Sequence, residues 1–259
     1  MNEKTLPKNY EEYYEKASII LQQTDKEETY YFANLISHNK KLRILDIGCA
    51  EGELVLLLAL KGHDVTAADI SKNYLEKVVK SAQENSTKIR IMKCNIEDNI
   101  SQFEDEKFDV IFFMDVIEHL RNPLIALENI RHLLNDDGVL FIHTPNVFTL
   151  SRLLRYIVAR TKLIDYYEPS KLADLHFQTY DYLTLEKTLN FIGLKIHEII
   201  PTKLTLPLVC RFRFFNHFFK FLSKEFPFFS DTLLVKCKKA KPINIEQQIV
   251  FWSKDLNKS

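Results

Sequence analysis

Glycine is scarce in this chain. Five glycines stand among 259 residues, where a typical share of about 7% would place roughly 18. Collagen-like and glycine-rich disordered architectures are excluded, and each glycine becomes informative. Two of them, Gly48 and Gly52, share one short loop. Net charge is also missing: 35 Lys+Arg balance 35 Asp+Glu, which argues against a general nucleic-acid binder. Cysteine is sparse and dispersed. Cys49, Cys94, Cys210 and Cys237 form no C-x-x-C pair, so neither a disulfide framework nor a metal-ligand set is expected, which suits a reducing cytoplasm. No apolar run approaches the ~18 residues that a membrane span needs. The polar opening MNEKTLPKNYEEYYEK does not read as a signal peptide. What is present is ordinary for a globular chain, 46% hydrophobic and 27% charged, enough at this length for a full core.

The hydrophobic pattern changes along the chain. Residues 1–40 read as helical, over Tyr10–Thr24 and Glu27–Ser37. From residue 41, short apolar runs alternate with helical stretches. Strands are expected at Leu42–Ile47, Asp64–Ala68, Ile89–Cys94, Phe108–Met114, Gly138–Thr144, Leu194–Ile200 and Asp231–Lys238. Helices are expected at Glu53–Lys61, Asn73–Glu84, Pro123–Leu134 and Thr184–Phe191, and a short one near Ile245–Trp252. This alternation reads as βαβ units around a parallel sheet. FDVIFF and VLFI are unbroken apolar runs, as strands covered on both faces should be. ELVLLLAL is apolar all round and should be deeply enclosed.

One loop carries the chemistry. Leu45-Asp46-Ile47-Gly48-Cys49-Ala50-Glu51-Gly52 leaves a buried strand and enters a helix. Glycines there let backbone approach a ligand, and the helix start adds partial positive charge. A second acid, Asp69, ends the next strand, where a carboxylate suits ribose hydroxyls. A ribonucleoside ligand is therefore expected. The spacing G-x-x-x-G departs from the G-x-G-x-x-G of dinucleotide binders.

LDIGCAEG resembles the first motif of the class I S-adenosylmethionine-dependent methyltransferases, usually LDIGCGTG. GHDVTAADIS, FDVIFFMDVIEHLRNP and IRHLLNDDGVLFIHTPN resemble that family's later strands, in order, over about residues 42–200. The "EHL…P" and "TPN" signatures are similar to those of ubiquinone-biosynthesis and glycan-associated O-methyltransferases. The resemblance implies an α/β Rossmann-like sheet of seven mostly parallel strands, order 3-2-1-4-5-7-6, with helices on both faces. It implies S-adenosyl-L-methionine as cofactor and S-adenosyl-L-homocysteine as product. Gly48, Ala50 and Gly52 would line the methionine part, with Asp46 beneath its amino group. Asp69 would hold the ribose, with Ile70, Asn95 and Ile96 around the adenine. Met114 and Asp115 would lie by the transferable methyl. Ala50 and Asn95 replace the family's usual glycine and aspartate.

The resemblance further implies a layout: an N-terminal helical cap over 1–40, a methyltransferase domain over 41–238 with acceptor-side inserts at 145–183 and 201–230, and a tail over 239–259. His119 and His176 are the candidate catalytic residues, each either lining the acceptor pocket as a base or packing structurally. His143 reads as a core or rim histidine and Glu118 as a support for its loop. Tyr13 and Tyr14 either close over the cofactor or pack as aromatics. Cys49, at a helix start that can lower a thiol pKa, is not expected to be a nucleophile. The segment 207–230 pairs a broad phenylalanine face with a basic stripe. It either packs on the domain, as acceptor lid or homodimer contact, or lies on a membrane surface or lipid-linked acceptor. The expected reaction is O-methylation of a small molecule, a sugar or a phosphorylated precursor of a surface glycan or capsule, in the cytoplasm or at the inner membrane face. A quinone-precursor phenol is the next acceptor class. A nicotinamide-dependent oxidoreductase and a non-catalytic cofactor-binding partner subunit stay open.

Overall fold

Short, largely apolar segments, spaced by helical stretches, pair into one sheet. The computed structural model describes residues 26–36, 40–98, 100–150, 152–153, 157, 176–202, 221 and 223–241. In chain order its elements are α1 (Lys26–Ala33), β1 (Arg43–Ile47), α2 (Glu53–Leu60), β2 (Asp64–Asp69), α3 (Lys72–Glu84), β3 (Arg90–Lys93), β4 (Phe108–Met114), α4 (Pro123–Leu133), β5 (Leu134–Pro145), α5 (Tyr182–Ile192), β6 (Leu194–Ile200) and β7 (Thr232–Lys239). The strand order is β3-β2-β1-β4-β5-β7-β6, as the resemblance implied. The first five strands in that order pair in parallel. β7 runs antiparallel to both its neighbours.

Strand periodicity explains the unbroken apolar runs. Val110 and Phe112 point into a core shared with α1, α2 and α3. Ile111 and Phe113, one residue on, point into a core shared with α4 and α5. Both faces are thus covered, and each buried Phe, Ile or Leu contributes about 1.5–3 kcal/mol. Helix ends follow local chemistry. Ser71 Oγ accepts from Tyr74 N at 3.3 Å to start α3, Asp181 and Thr184 form a capping box at α5, and Gly193 closes that helix at φ 79°.

Two expectations need correction. The helix over Pro123 stops at Leu133, because Leu134 is already extended and pairs with Phe108. Both side chains are buried, so the sheet gains more from Leu134 than another helical residue would. The register then shifts before Val110 meets Val139, and Gly138 falls inside β5. ELVLLLAL is enclosed only in part: Leu54, Val55, Leu58 and Ala59 are buried, but Leu60 is 56% exposed. Tyr10–Thr24 with Tyr13 and Tyr14, the stretch near Ile245–Trp252, and most of the segments 145–183 and 207–230 lie outside the described residues. Among the described residues, no helix is long and apolar enough to cross a membrane.

The parallel strands end along one edge, and the order reverses between β1 and β4. A crevice opens where loops diverge from such a switch point.

Candidate functional site

The loop after β1 is shaped by backbone. Gly48, Ala50 and Gly52 all have positive φ, 77°, 46° and 80°. At Gly48 a Cβ would overlap Val116 Cγ2, so close packing and conformation both require glycine there. Ala50 adopts the same left-handed region with a side chain, which L-residues resist. Gly48 N donates to Ala68 O at 2.8 Å, which ties the loop to β2. Asp69, the last residue of β2, completes the tie. Its Oδ2 accepts from Ala50 N at 3.0 Å and its Oδ1 from Ser71 N at 2.8 Å. Each oxygen of a carboxylate can accept more than one hydrogen bond, so Asp69 is fixed in place and still suited to meet hydroxyls.

A cleft runs along this edge in two joined halves. One, a cavity of about 210 Å³, is walled by Ile70, Tyr74, Cys94, Ile96, Val116 and Leu120, with Asp69, Asn95 and His119 at its polar points. The other, about 370 Å³, is lined by Glu28, Thr29 and Phe32 of α1 together with Asp46, Glu51, Gly52, Glu53, Met114 and neighbours in the loop. Gly48, Ala50 and Asp115 border both. All ten residues assigned to the cofactor from sequence therefore lie around one cleft. Asn95 is already engaged locally: its Nδ2 donates to Asp98 Oδ2 at 2.9 Å and its Oδ1 accepts from Glu97 N at 3.2 Å.

The acids differ in environment. Asp46 is 3% exposed, and no hydrogen bond to its carboxylate is found among the described residues. Burial, then the nearby Asp69 charge, pushes its pKa up to about 7. Burial raises Glu118 to about 8, with Asp115 adding to the rise; Thr144 Oγ1, donating to Glu118 Oε2 at 2.9 Å, opposes it. Cys49, in the loop after β1, is buried, 6% exposed. The helix start does not activate it, because burial and the charges of Asp69 and Asp46 hold its thiol well above the ordinary range.

The two candidate catalytic histidines come together. Gln178 N donates to Glu118 O at 2.9 Å, and the Arg121 guanidinium sits 5.6 Å over the Phe177 ring. These contacts dock the segment 176–180 on the turn Ile117–His119. The His119 and His176 rings lie 4.7 Å apart, edge to face. Glu118, His119 and His176 place one ligand atom each within 4.8 Å of one another, a spacing that suits ligands around one cation.

Sequence reasoning missed three features. Glu28 and Phe32 of α1 reach the cleft, Tyr74 walls its other half, and His143 is more than a packed core residue. His143 Nδ1 stands 2.9 Å from Asp115 Oδ1 and its Nε2 3.4 Å from Glu28 Oε1. Burial alone would lower the His143 pKa, but Asp115, Glu28 and Glu118 outweigh it and hold it above the usual histidine value. The spacing of Glu28 and Phe32, one helical turn apart, was the available signal.

Comparisons agree with this geometry. A family profile described as "Methyltransferase domain" matches residues 22–199. A ubiquinone biosynthesis O-methyltransferase of Actinobacillus pleuropneumoniae serotype 5b (strain L20) is 39% identical over 107 residues, 40% of this chain and 46% of that protein. The chain thus spans about half the length of the curated relatives it matches. Among solved structures, magnesium protoporphyrin IX methyltransferase from Synechocystis PCC 6803 with bound SAH superposes with TM-score 0.57 at 15% identity, over 90% of this chain and 88% of that one. The [4+2]-cyclase SpnF superposes with TM-score 0.57 at 14% identity, over 84% and 81%. At such identities the likeness is one of fold.

Proposed function

Because the chain belongs to the methyltransferase-domain family and has the sheet order of the class I S-adenosylmethionine-dependent enzymes, we propose that it methylates a hydroxyl oxygen of a small acceptor with S-adenosylmethionine. The observation that carries this reading is the cleft itself, with Asp46, Asp69 and Asp115 at its corners. The donor set fits the cofactor. Asp46 is a buried carboxyl that a ligand ammonium would partner, Asp69 faces where a ribose diol would lie, and the apolar walls suit a flat base. Gly48, Ala50 and Gly52 would pass along the methionine part, Ile70, Asn95 and Ile96 around the adenine, and Met114 and Asp115 beside the methyl-bearing end. When bound, the cofactor supplies an electrophilic methyl on a sulfonium and leaves as S-adenosylhomocysteine.

The chain's own work is to position and to take a proton. Holding two reactants in line is worth on the order of 7–11 kcal/mol. His119, at the cleft wall, would accept the acceptor's hydroxyl proton as the oxygen takes the methyl, and His176 would orient the His119 ring. A phenol needs such a base more than an already ionised phosphate does. This favours a quinone-precursor phenol, the acceptor class for which the curated relatives are named. A glycan or capsule precursor, first in order from the sequence alone, has no such relative behind it and becomes the second reading.

Transfer of labelled methyl from S-adenosylmethionine to paired panels of catechols and of sugars or sugar phosphates tests the reading. Labelled catechol is expected. His119→Ala and His176→Ala should each lower the rate, by ~10²–10⁴-fold where base catalysis is lost, with S-adenosylhomocysteine affinity kept. Unchanged rates in both would point to a phosphate acceptor. Binding of a reduced nicotinamide dinucleotide in place of the cofactor would move the chain to the oxidoreductases. Binding without transfer to either panel would leave a partner subunit. Contact of 207–230 with lipid or with a second copy is part of the same proposal, read by liposome co-sedimentation and by solution mass.

A further inference from the structure

His143 sits on β5 directly beside the last residue of β4, Met114, and takes hold of the next residue, Asp115, twice. Its carbonyl accepts from Asp115 N at 2.9 Å, and its Nδ1 lies 2.9 Å from Asp115 Oδ1. Asp115 needs such a grip, because its φ of 52° is a conformation that costs a non-glycine residue about 1–2 kcal/mol. The other side of the ring belongs to α1. Phe32 packs against it at 5.2 Å between centroids, and Glu28 Oε1 is 3.4 Å from Nε2. Glu28 and Phe32 are one turn apart on the same helix face, and both also line the cleft.

The proton count at this ring decides whether α1 is attracted. His143 is 2% exposed, and its Nε2 is a buried nitrogen without a hydrogen bond of ordinary geometry. With Nδ1 donating to Asp115, a neutral ring turns the Nε2 lone pair toward the Glu28 carboxylate, and the two repel. A protonated ring presents N–H to both carboxylates. The charged groups that face it are Asp115 after β4, Glu118 in the following turn and Glu28 on α1. Its partner across to β7 is Leu234, which carries no charge.

We propose that His143 is a positioning residue whose imidazolium straps α1 to Asp115, so that the helix stays laid over the acid-lined half of the cofactor cleft. The strap rests on the methyltransferase reading only for the identity of what the helix covers. Other anchors hold the far end of α1: Lys61 Nζ donates to Ala33 O at 2.6 Å and to Asn34 Oδ1 at 2.9 Å. Glu28, in the first described turn of α1, is the contact that reaches the ring, and losing it should loosen that turn rather than unfold the domain.

The test is the affinity for S-adenosylhomocysteine by calorimetry between pH 5.5 and 9, with the His143 ring followed by nitrogen-15 NMR in the ligand-free chain. Wild type should weaken about tenfold as pH rises through the His143 titration. Glu28→Gln should move that fall to lower pH, because one of the carboxylates sustaining the charge is gone. His143→Gln should bind about tenfold more weakly at pH 6.5 and lose the alkaline fall. Amide exchange over residues 26–33 should quicken in both variants. Should Glu28→Gln keep the wild-type profile and exchange rates, or the ring be neutral at pH 6.5, the strap is overturned. A wild-type chain that binds no S-adenosylhomocysteine would sink the functional reading instead, and the ring titration and amide exchange would still decide the strap.

Discussion

The two halves of the cleft are built on opposite principles. Around Tyr74 and Leu120 the walls are apolar, and of its two acids Asp69 is pinned by two backbone N–H groups, while Asp115, shared with the other half, is held by His143. Around Phe32 the lining holds Glu28, Asp46, Glu51, Glu53 and Asp115, and no lysine or arginine among its lining residues. The first half is finished before any ligand arrives: its carboxylates are oriented and partnered. The second half is unfinished at one point: Glu51 pairs with Lys77, and Glu28 and Asp115 face His143, but Asp46 is a buried carboxyl near its protonation midpoint at neutral pH. A preformed surface recognises shape cheaply, whereas an unsatisfied buried acid selects for positive charge.

Breaking the finished half should cost most. Asp69→Asn would replace one oxygen with an NH₂ and lose charge-assisted bonds worth ~1.5–3 kcal/mol, so S-adenosylhomocysteine affinity should fall by ~10–100-fold in a calorimetric titration, with the fold kept by circular dichroism. Gly48→Ala should come next. Its methyl would meet Val116 in a left-handed backbone, and thermal unfolding should show ~1–3 kcal/mol lost through overpacking. The unfinished half should respond to pH. A ligand ammonium needs Asp46 ionised, so affinity should drop by up to tenfold per unit as pH falls below about 7. Asp46→Asn should flatten that acid limb. The stability sign is the reverse. A carboxyl raised from ~3.9 unfolded to about 7 folded binds more protons in the native state between those values. Ligand-free stability therefore falls as pH rises through this window. Asp46→Asn should accordingly unfold at a higher temperature than wild type at pH 8 while binding less. Ala50→Gly should have the smallest effect, within about 1 kcal/mol and on the stabilising side, since glycine accepts a φ of 46°.

Much of this was legible from residues close in the chain. Strands such as Phe108–Met114 announce themselves through unbroken apolar runs, and Gly48, Gly52 and Asp69 mark the cleft because turn and strand end are local matters. Contacts distant in sequence were not legible. His143 and Glu28 are separated by four intervening strands in the chain, and nothing in the neighbourhood of either residue names the other. Cys49 shows the same divide: its helix-start position is local, whereas the burial and the Asp69 charge that silence it come from the packed fold. The end of the helix at Leu133 was set by Phe108, a partner 26 positions before Leu134. His176 was placed beside the cleft by resemblance alone; the bond from Gln178 to Glu118 supplies the physical cause.

Beneath the cleft floor, Phe112 and Phe141 stack face to face at 5.3 Å across β4 and β5, both sealed from solvent. A plinth of interlocked rings has little room to flex, since dense interiors resist displacement. Traffic into and out of the crevice must then come from above, through parts resting on the sheet rather than woven into it.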